Sequence, residues 1–298
     1  MSNDLSSFDA QAWSKTLIKN IDEINIMMPL CNTDYEGEIQ GVGDTVQVRT
    51  LGSITLGAWT RNGTISYQDL TPAKEAMTIS DAEYFAFKVD DVDKAQNDIS
   101  ALEGYTKRAA VALSNTIEHK ILAFAQAAVG TAMSIDAGGG TAITLDSGTS
   151  TATGIYQQVV KARTRLSKNE VPPDGRWLIV DPDTTALMLE DTSHFVRAGD
   201  LGDEVVEQAT FGAPGPALGY IGRIAGFDVF ECAHCYSSGG TTYLPFGRGN
   251  CLSYAAQIRE VEAIRLETTF ATSVRGLLLH GGTVFTEDKK RVGYIVHA

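Results

Sequence analysis

The stretch that decides the fold is 84-YFAFKVDDVDKAQ-96, which closes a predicted strand and opens a very long predicted helix. Apolar side chains alternate up to Val89, as in a strand. Several aspartates follow, and acidic residues favour a helix start through the helix dipole. Apolar residues then recur at helical spacing from Ile99 to Ala128, which predicts a helix of about 30 residues, roughly 45 Å long, closed by Gly130. Helices of globular proteins average about 11–12 residues, so this one is unusual.

The segment before this stretch predicts a long β-hairpin. Val46 and Val48 alternate with polar neighbours, a glycine-rich segment follows with a turn near residues 61–63, and residues 76–90 return as a strand. The alternation of the returning strand slips near Ala82. Further upstream, residues 5–30 show helical spacing that ends before Pro29.

Downstream elements follow no regular strand–helix alternation, which disfavours a doubly wound sheet or a barrel and favours an α+β class. The 223–232 strand is expected to be entered through Gly226, and Ile258, Val261 and Ile264 fit neither period. The other predicted elements are a Gly/Ser/Thr-rich loop or hairpin over 136–154 with a short strand at 142–145, a helix over 155–166, a buried strand over 176–180, a helix opened by Pro182, a loop-rich stretch over 193–222 and a strand-rich C-terminal region.

Composition excludes several classes of protein. Apolar residues make up 43% and charged residues 20% of 298 residues, as in ordinary globular proteins. No run approaches the roughly 20 apolar residues of a membrane span, and the N-terminus lacks the pattern of a secretory signal. The formal net charge of −13 and the lack of basic clusters argue against binding of nucleic acid through the overall charge of the chain.

The only chemically suggestive motif is 231-ECAHC-235. Cys232 and Cys235, with Cys251 sixteen residues later, are the candidate metal ligands, but a structural zinc site needs four ligands. A redox pair normally lies at a helix N-terminus, whereas this pair follows a strand. The third interpretation is two reduced thiols at a strand end. No phosphate-binding loop, nucleophile elbow or metalloprotease motif is found, so we expect no enzyme and no cofactor.

Several segments, in order, resemble the major capsid proteins of tailed bacteriophages, which share the Hong Kong 97-type fold. The segments that carry the resemblance are 13–18, 34–49, 64–70, 84–96, 171–182 and 219–232. The resemblance implies five segments: an N-terminal arm (1–36), an extended β-hairpin loop (37–83), a peripheral domain with the spine helix and Gly-rich loop (84–171), an apical domain (172–255), and C-terminal strands of the peripheral domain (256–298).

The function that the resemblance implies is a major capsid protein, which self-assembles through hexamers and pentamers into an icosahedral shell enclosing phage DNA. Its location would be the virion capsid, after assembly in the host cytoplasm. A bacterial encapsulin, which shares the fold, is the alternative; a Cys-x-x-Cys oxidoreductase is a distant one. The residues expected at contacts between subunits are Trp59, Arg61, Ile65 and Tyr67.

The resemblance also implies partners. A separate scaffolding protein is expected because the chain begins close to the arm, together with a portal, a decoration protein, and DNA packaged without sequence-specific binding. Residues 42–71 contain no lysine, so a lysine–asparagine crosslink from this loop has no support.

Overall fold

A computed structural model describes residues 25–34, 45–50, 54, 56–61, 63–65, 67–69, 73–90, 100–129, 133–147, 150, 153–190, 219–265 and 271–298. The predicted N-terminal helix lies largely outside these residues, and so do Gly130 and most of the loop-rich stretch. Residues 28–30 form a short 3₁₀ helix, and Pro29 lies in its first turn.

Three α-helices are formed by the described residues, close to the predicted bounds. They are α1 (Ser100–Ala128), α2 (Ile155–Lys168) and α3 (Pro182–Glu190). The 29 residues of α1 confirm the long helix. Helix α3 begins at the predicted proline, and the carboxylate of Asp181 caps it by accepting the Thr184 N–H at 3.2 Å.

Thirteen strands are formed by the described residues. They are β1 (Cys31–Asn32), β2 (Thr45–Thr50), β3 (Ala73–Thr78), β4 (Asp81–Asp90), β5 (Ser134–Ile135), β6 (Arg176–Val180), β7 (Tyr220–Ile224), β8 (Phe227–Glu231), β9 (Ser237–Ser238), β10 (Thr241–Arg248), β11 (Leu252–Arg265), β12 (Ala271–Thr283) and β13 (Val292–His297).

Seven strands form one mixed sheet in the order β5-β13-β10-β6-β8-β7, with β9 paired to β10. All five residues of β6 are buried, as the apolar run predicted. Helix α2 packs its apolar face into the hydrophobic core that also contains the β6 side chains. That face is formed by Ile155, Val159, Ala162 and Leu166. This sheet draws strands from three of the five predicted segments, and the division into those segments stays a prediction.

The predicted 223–232 strand is two strands. Ala225 and Gly226 have φ of 49° and 88°, and they form the turn of a hairpin between β7 and β8. Positive φ at both central residues is what a two-residue type I′ turn requires, so Gly226 marks the turn and not the strand entry.

The remaining strands form a four-stranded sheet, β1-β11-β12-β4, and a separate two-stranded ribbon, β2–β3. The returning strand of the predicted hairpin is divided at Ile79–Ser80, because β3 pairs with β2 and β4 pairs with β12. The slip near Ala82 thus lies two residues beyond a change of sheet. The predicted 142–145 strand is limited to one isolated bridge, from Ile143 to His297.

Candidate functional site

Among the described residues, the most exposed apolar surface is the segment between the two strands of the ribbon, whose described residues lie between 54 and 69. Leu56 is 96% exposed, Tyr67 91%, Trp59 76% and Ile65 65%. Single exposed apolar residues are common, but so many large ones in one segment mark an interaction surface. The predicted contact residues Trp59, Ile65 and Tyr67 all lie there, and Arg61 is exposed beside them.

The ribbon itself is firmly anchored at its base. Val46, Met77 and Ile79 pack with Leu279 and Phe285 in a small core that is separate from the main one. The Thr286 N–H donates to a carboxylate oxygen of Glu75 at 2.8 Å, which ties β3 to the C-terminal region. The ribbon is therefore anchored to the C-terminal region, while the large side chains of the segment between its two strands stay exposed.

The four cysteines form two separate pairs and all are reduced. Cys31 lies opposite Leu252 in the parallel ladder of β1 and β11, which places it beside Cys251. Cys232 and Cys235 precede β9, and the Tyr243 N–H donates to the Tyr236 carbonyl at 3.0 Å, so Cys235 lies beside the middle of β10. The β9–β10 hairpin turns the chain back after Cys235, so the approach of Cys251 to Cys235 stays a prediction.

The chemistry of these thiols is that of packed side chains. The Cys235 thiol donates to the Cys232 carbonyl at 3.4 Å, and Cys232 Sγ lies 3.7 Å from Glu118 Oε2. The hydrogen bond with Cys232 and, to a lesser extent, burial raise the pKa of the Cys235 thiol. Redox-active thiols, by contrast, have a lowered pKa. Burial raises the pKa of Cys251 to about 12. Within the described ranges, no three His, Cys, Asp or Glu residues are placed to hold a metal ion.

Sequence analysis missed a buried polar cluster that fixes residues 25–28 to α1. The Asn25 amide donates to the carbonyl and hydroxyl of Ser114, each at 3.3 Å, and its oxygen accepts the N–H groups of Met27 and Met28 at 2.9 and 2.8 Å. The Ile26 N–H donates to Glu118. The apolar pattern gives no signal for such contacts, since their partners lie about ninety residues away in the sequence.

No described helix has the length and apolar character that crossing a membrane requires. A search of curated proteins gives no match. A family model for phage capsid proteins, by contrast, matches residues 42–293.

Solved structures with the same architecture come from phage particles. "Mycobacterium phage Che8" matches with a TM-score of 0.69 and 20% identity, over 91% of this chain and 90% of that chain. The capsid of the cyanophage P-SCSP1u gives 0.67 and 15%, over 93% and 89%. The capsid of Ralstonia phage GP4 gives 0.63 and 12%, over 92% and 91%. At such identities the likeness concerns the fold, and it confirms the Hong Kong 97-type architecture. Since the family model also extends over most of the sequence, the chain belongs to the phage capsid protein family.

Proposed function

We propose that this chain, as the major capsid protein of an icosahedral phage shell, joins its neighbours within hexamers and pentamers through residues 54–69. The observation that carries the proposal is the exposed apolar segment on an anchored ribbon. Family membership and the shared fold support the shell function itself.

The exposed apolar side chains of residues 54–69 gain free energy when a partner covers them. Fully burying a large apolar side chain stabilises by roughly 1.5–3 kcal/mol, so Leu56, Trp59, Ile65 and Tyr67 together supply a substantial driving force for contact. The described part of the chain leaves all four open, and a neighbouring copy is the partner present at the highest local concentration in a shell. Ring contacts are heterologous, so one subunit offers the segment and the next offers a different surface.

Arg61 completes the proposed contact. It is exposed between Trp59 and Ile65, and a guanidinium beside apolar anchors is typical of the strongest positions in protein interfaces. Each such contact is modest, but a closed ring repeats it five or six times, so the assembly gains by multivalency.

Trp59→Ser tests the proposal, together with deletion of residues 52–66. Both variants should fold as soluble subunits yet give at least about tenfold fewer shells, because each 1.4 kcal/mol lost at a contact weakens it tenfold. Shell yield is measured by sedimentation and negative-stain microscopy.

Leu189→Ser is the matched control, since Leu189 is also an exposed apolar residue (56%) but lies on α3, outside the ribbon. Its yield should stay near that of the wild type. Normal shells from the deletion variant would show that the segment is not a clamp between subunits.

Further partners are proposed on the strength of the family alone. They are a separate scaffolding protein, a portal, a decoration protein, and DNA held without sequence-specific contacts, with assembly in the host cytoplasm. The net charge of −13 supports weak, non-specific contact with DNA, because a negatively charged subunit does not attract the phosphate backbone.

A further inference from the structure

His280 is a buried titratable side chain that the proposed function does not use. It is 1% exposed, and within the described residues neither ring nitrogen has a hydrogen-bond partner. Buried polar atoms are nearly always paired, so a buried imidazole with both nitrogens unpaired needs a specific explanation.

The charged and titratable groups that face His280 come from three elements. On β4, Asp81 lies directly opposite His280 in the ladder, and Glu83 lies two residues further along. On α1, the ammonium of Lys120 donates to Asp81 Oδ1 at 3.1 Å. On β11, the centroid of the Tyr254 ring lies 6.0 Å from that of the imidazole.

These groups border the joint between the ribbon and the four-stranded sheet. Strand β3 ends at Thr78 and β4 begins at Asp81, so only two residues join the two units. Gly281, next to His280, lies so close to this joint that an added Cβ would stand 2.5 Å from the Thr78 carbonyl oxygen. Strand β12 therefore packs against the joint at Ile79–Ser80, next to the position of His280.

We propose that His280 is a proton-sensitive contact that controls how firmly the ribbon is held to the sheet. With a neutral ring, the Asp81 carboxylate accepts from Lys120 and from the Ser80 hydroxyl at 3.4 Å. When the ring takes a proton from solvent, a buried cation lies opposite Asp81. The carboxylate then turns to the imidazolium and Lys120 loses its partner, so the start of β4, to which the ribbon is joined through Ile79–Ser80, is held less firmly.

The sign of the pH dependence follows from the surroundings of the ring. Burial lowers the pKa of His280 and Lys120 acts in the same direction, while Asp81 and Glu83 oppose them, and the net shift is downward from 6.5. The ring is thus neutral at pH 7.5, where the joint is firm. Below about pH 6.5 a released ring gains a proton more readily than the buried one, so acid favours the released joint.

Hydrogen–deuterium exchange of the full-length protein at pH 7.5 and pH 5.0 tests this, after correction for the intrinsic exchange rate. In the wild type, peptides covering 73–90 should lose protection about tenfold at pH 5.0, which corresponds to about 1.4 kcal/mol less free energy of local opening. Peptides from α2 should not change. His280→Gln should remove the acid-induced loss, and the same substitution at the exposed His119 should leave it intact.

A second variant keeps the test decisive if His280→Gln folds poorly. Lys120→Met breaks the contact with Asp81 without touching the ring, so residues 73–90 should already be less protected at pH 7.5. Unchanged wild-type protection at pH 5.0, or an equal acid-induced loss in His280→Gln, overturns the proposal. So does a Lys120→Met variant that matches the wild type at both pH values. The readout does not depend on shell formation, so it stands or fails separately from the role of residues 54–69.

Discussion

At the scale of single residues, the Arg176 side chain donates hydrogen bonds to buried backbone carbonyl groups. It is only 2% exposed, and its guanidinium donates to the carbonyls of Val171 and Pro172 at 2.6 and 3.0 Å and to the Ser167 hydroxyl at 3.1 Å. These acceptors belong to the last turn of α2 and the proline turn that follows. With the Arg163 carbonyl at 3.4 Å the guanidinium has four acceptors, one more than the three donors of a lysine could serve.

Arg176→Met should therefore lower the free energy of unfolding by about 2–4 kcal/mol, because each buried acceptor left unpaired costs roughly 1–3 kcal/mol. Urea unfolding of the soluble subunit measures the change. Arg248→Met is the control, since Arg248 pairs with an Asp174 side chain that is 76% exposed, and its loss should be much smaller. Equal losses in the two variants would contradict the role given to Arg176.

At the scale of elements, the sequence predicts what local patterns determine. The three helices are long or proline-bounded and keep their apolar spacing, so α1, α2 and α3 follow from the pattern. Strand β11 does not, because a bulge between Ile258 and Glu260 inserts a residue and shifts the alternation. The same limit applies to the change of sheet at Ile79–Ser80, since pairing partners far along the chain decide it.

The exposed segment was predicted from a family resemblance and not from a local pattern. Trp59, Ile65 and Tyr67 were predicted as contact residues from a resemblance, and the structure shows them exposed. The cysteine pairing could not be predicted in that way, because it depends on β1 joining β11 in parallel, a long-range pairing that spacing does not encode. His280 likewise stands in an ordinary apolar run, and only burial reveals it.

The element formed by residues 25–32 depends on its polar anchor. Asn25→Ala removes the bonds to Ser114 and to the backbone of Met27 and Met28, so it should cost about 2 kcal/mol and raise hydrogen exchange across residues 25–34. Asn32→Ala is the control in the same segment, because the Asn32 side chain makes an exposed contact with the Asp34 N–H. If residues 25–34 keep their protection from hydrogen exchange in Asn25→Ala, then apolar packing alone holds this segment against α1.

At the scale of the whole molecule, assembly must bring many like-charged subunits together. Each copy carries a formal net charge of −13, and fields between exposed charges reach about 30 Å at 0.01 M salt but only about 8 Å at 0.15 M. The apolar segment between residues 54 and 69 is attractive at any ionic strength, whereas the repulsion is screened by salt. The balance between the two therefore sets the conditions under which shells form.

Shell formation should accordingly become faster and more complete as sodium chloride rises from about 0.01 to 0.15 M, where screening shortens the repulsion. Light scattering follows the rate, and sedimentation velocity gives the fraction of subunits in shells. Sucrose at equal osmolality is the control, because it leaves charge screening nearly unchanged. If salt instead slows assembly, then complementary ion pairs between neighbours outweigh the net repulsion, and the contact depends on charges such as Arg61 more than on Trp59 and its apolar neighbours.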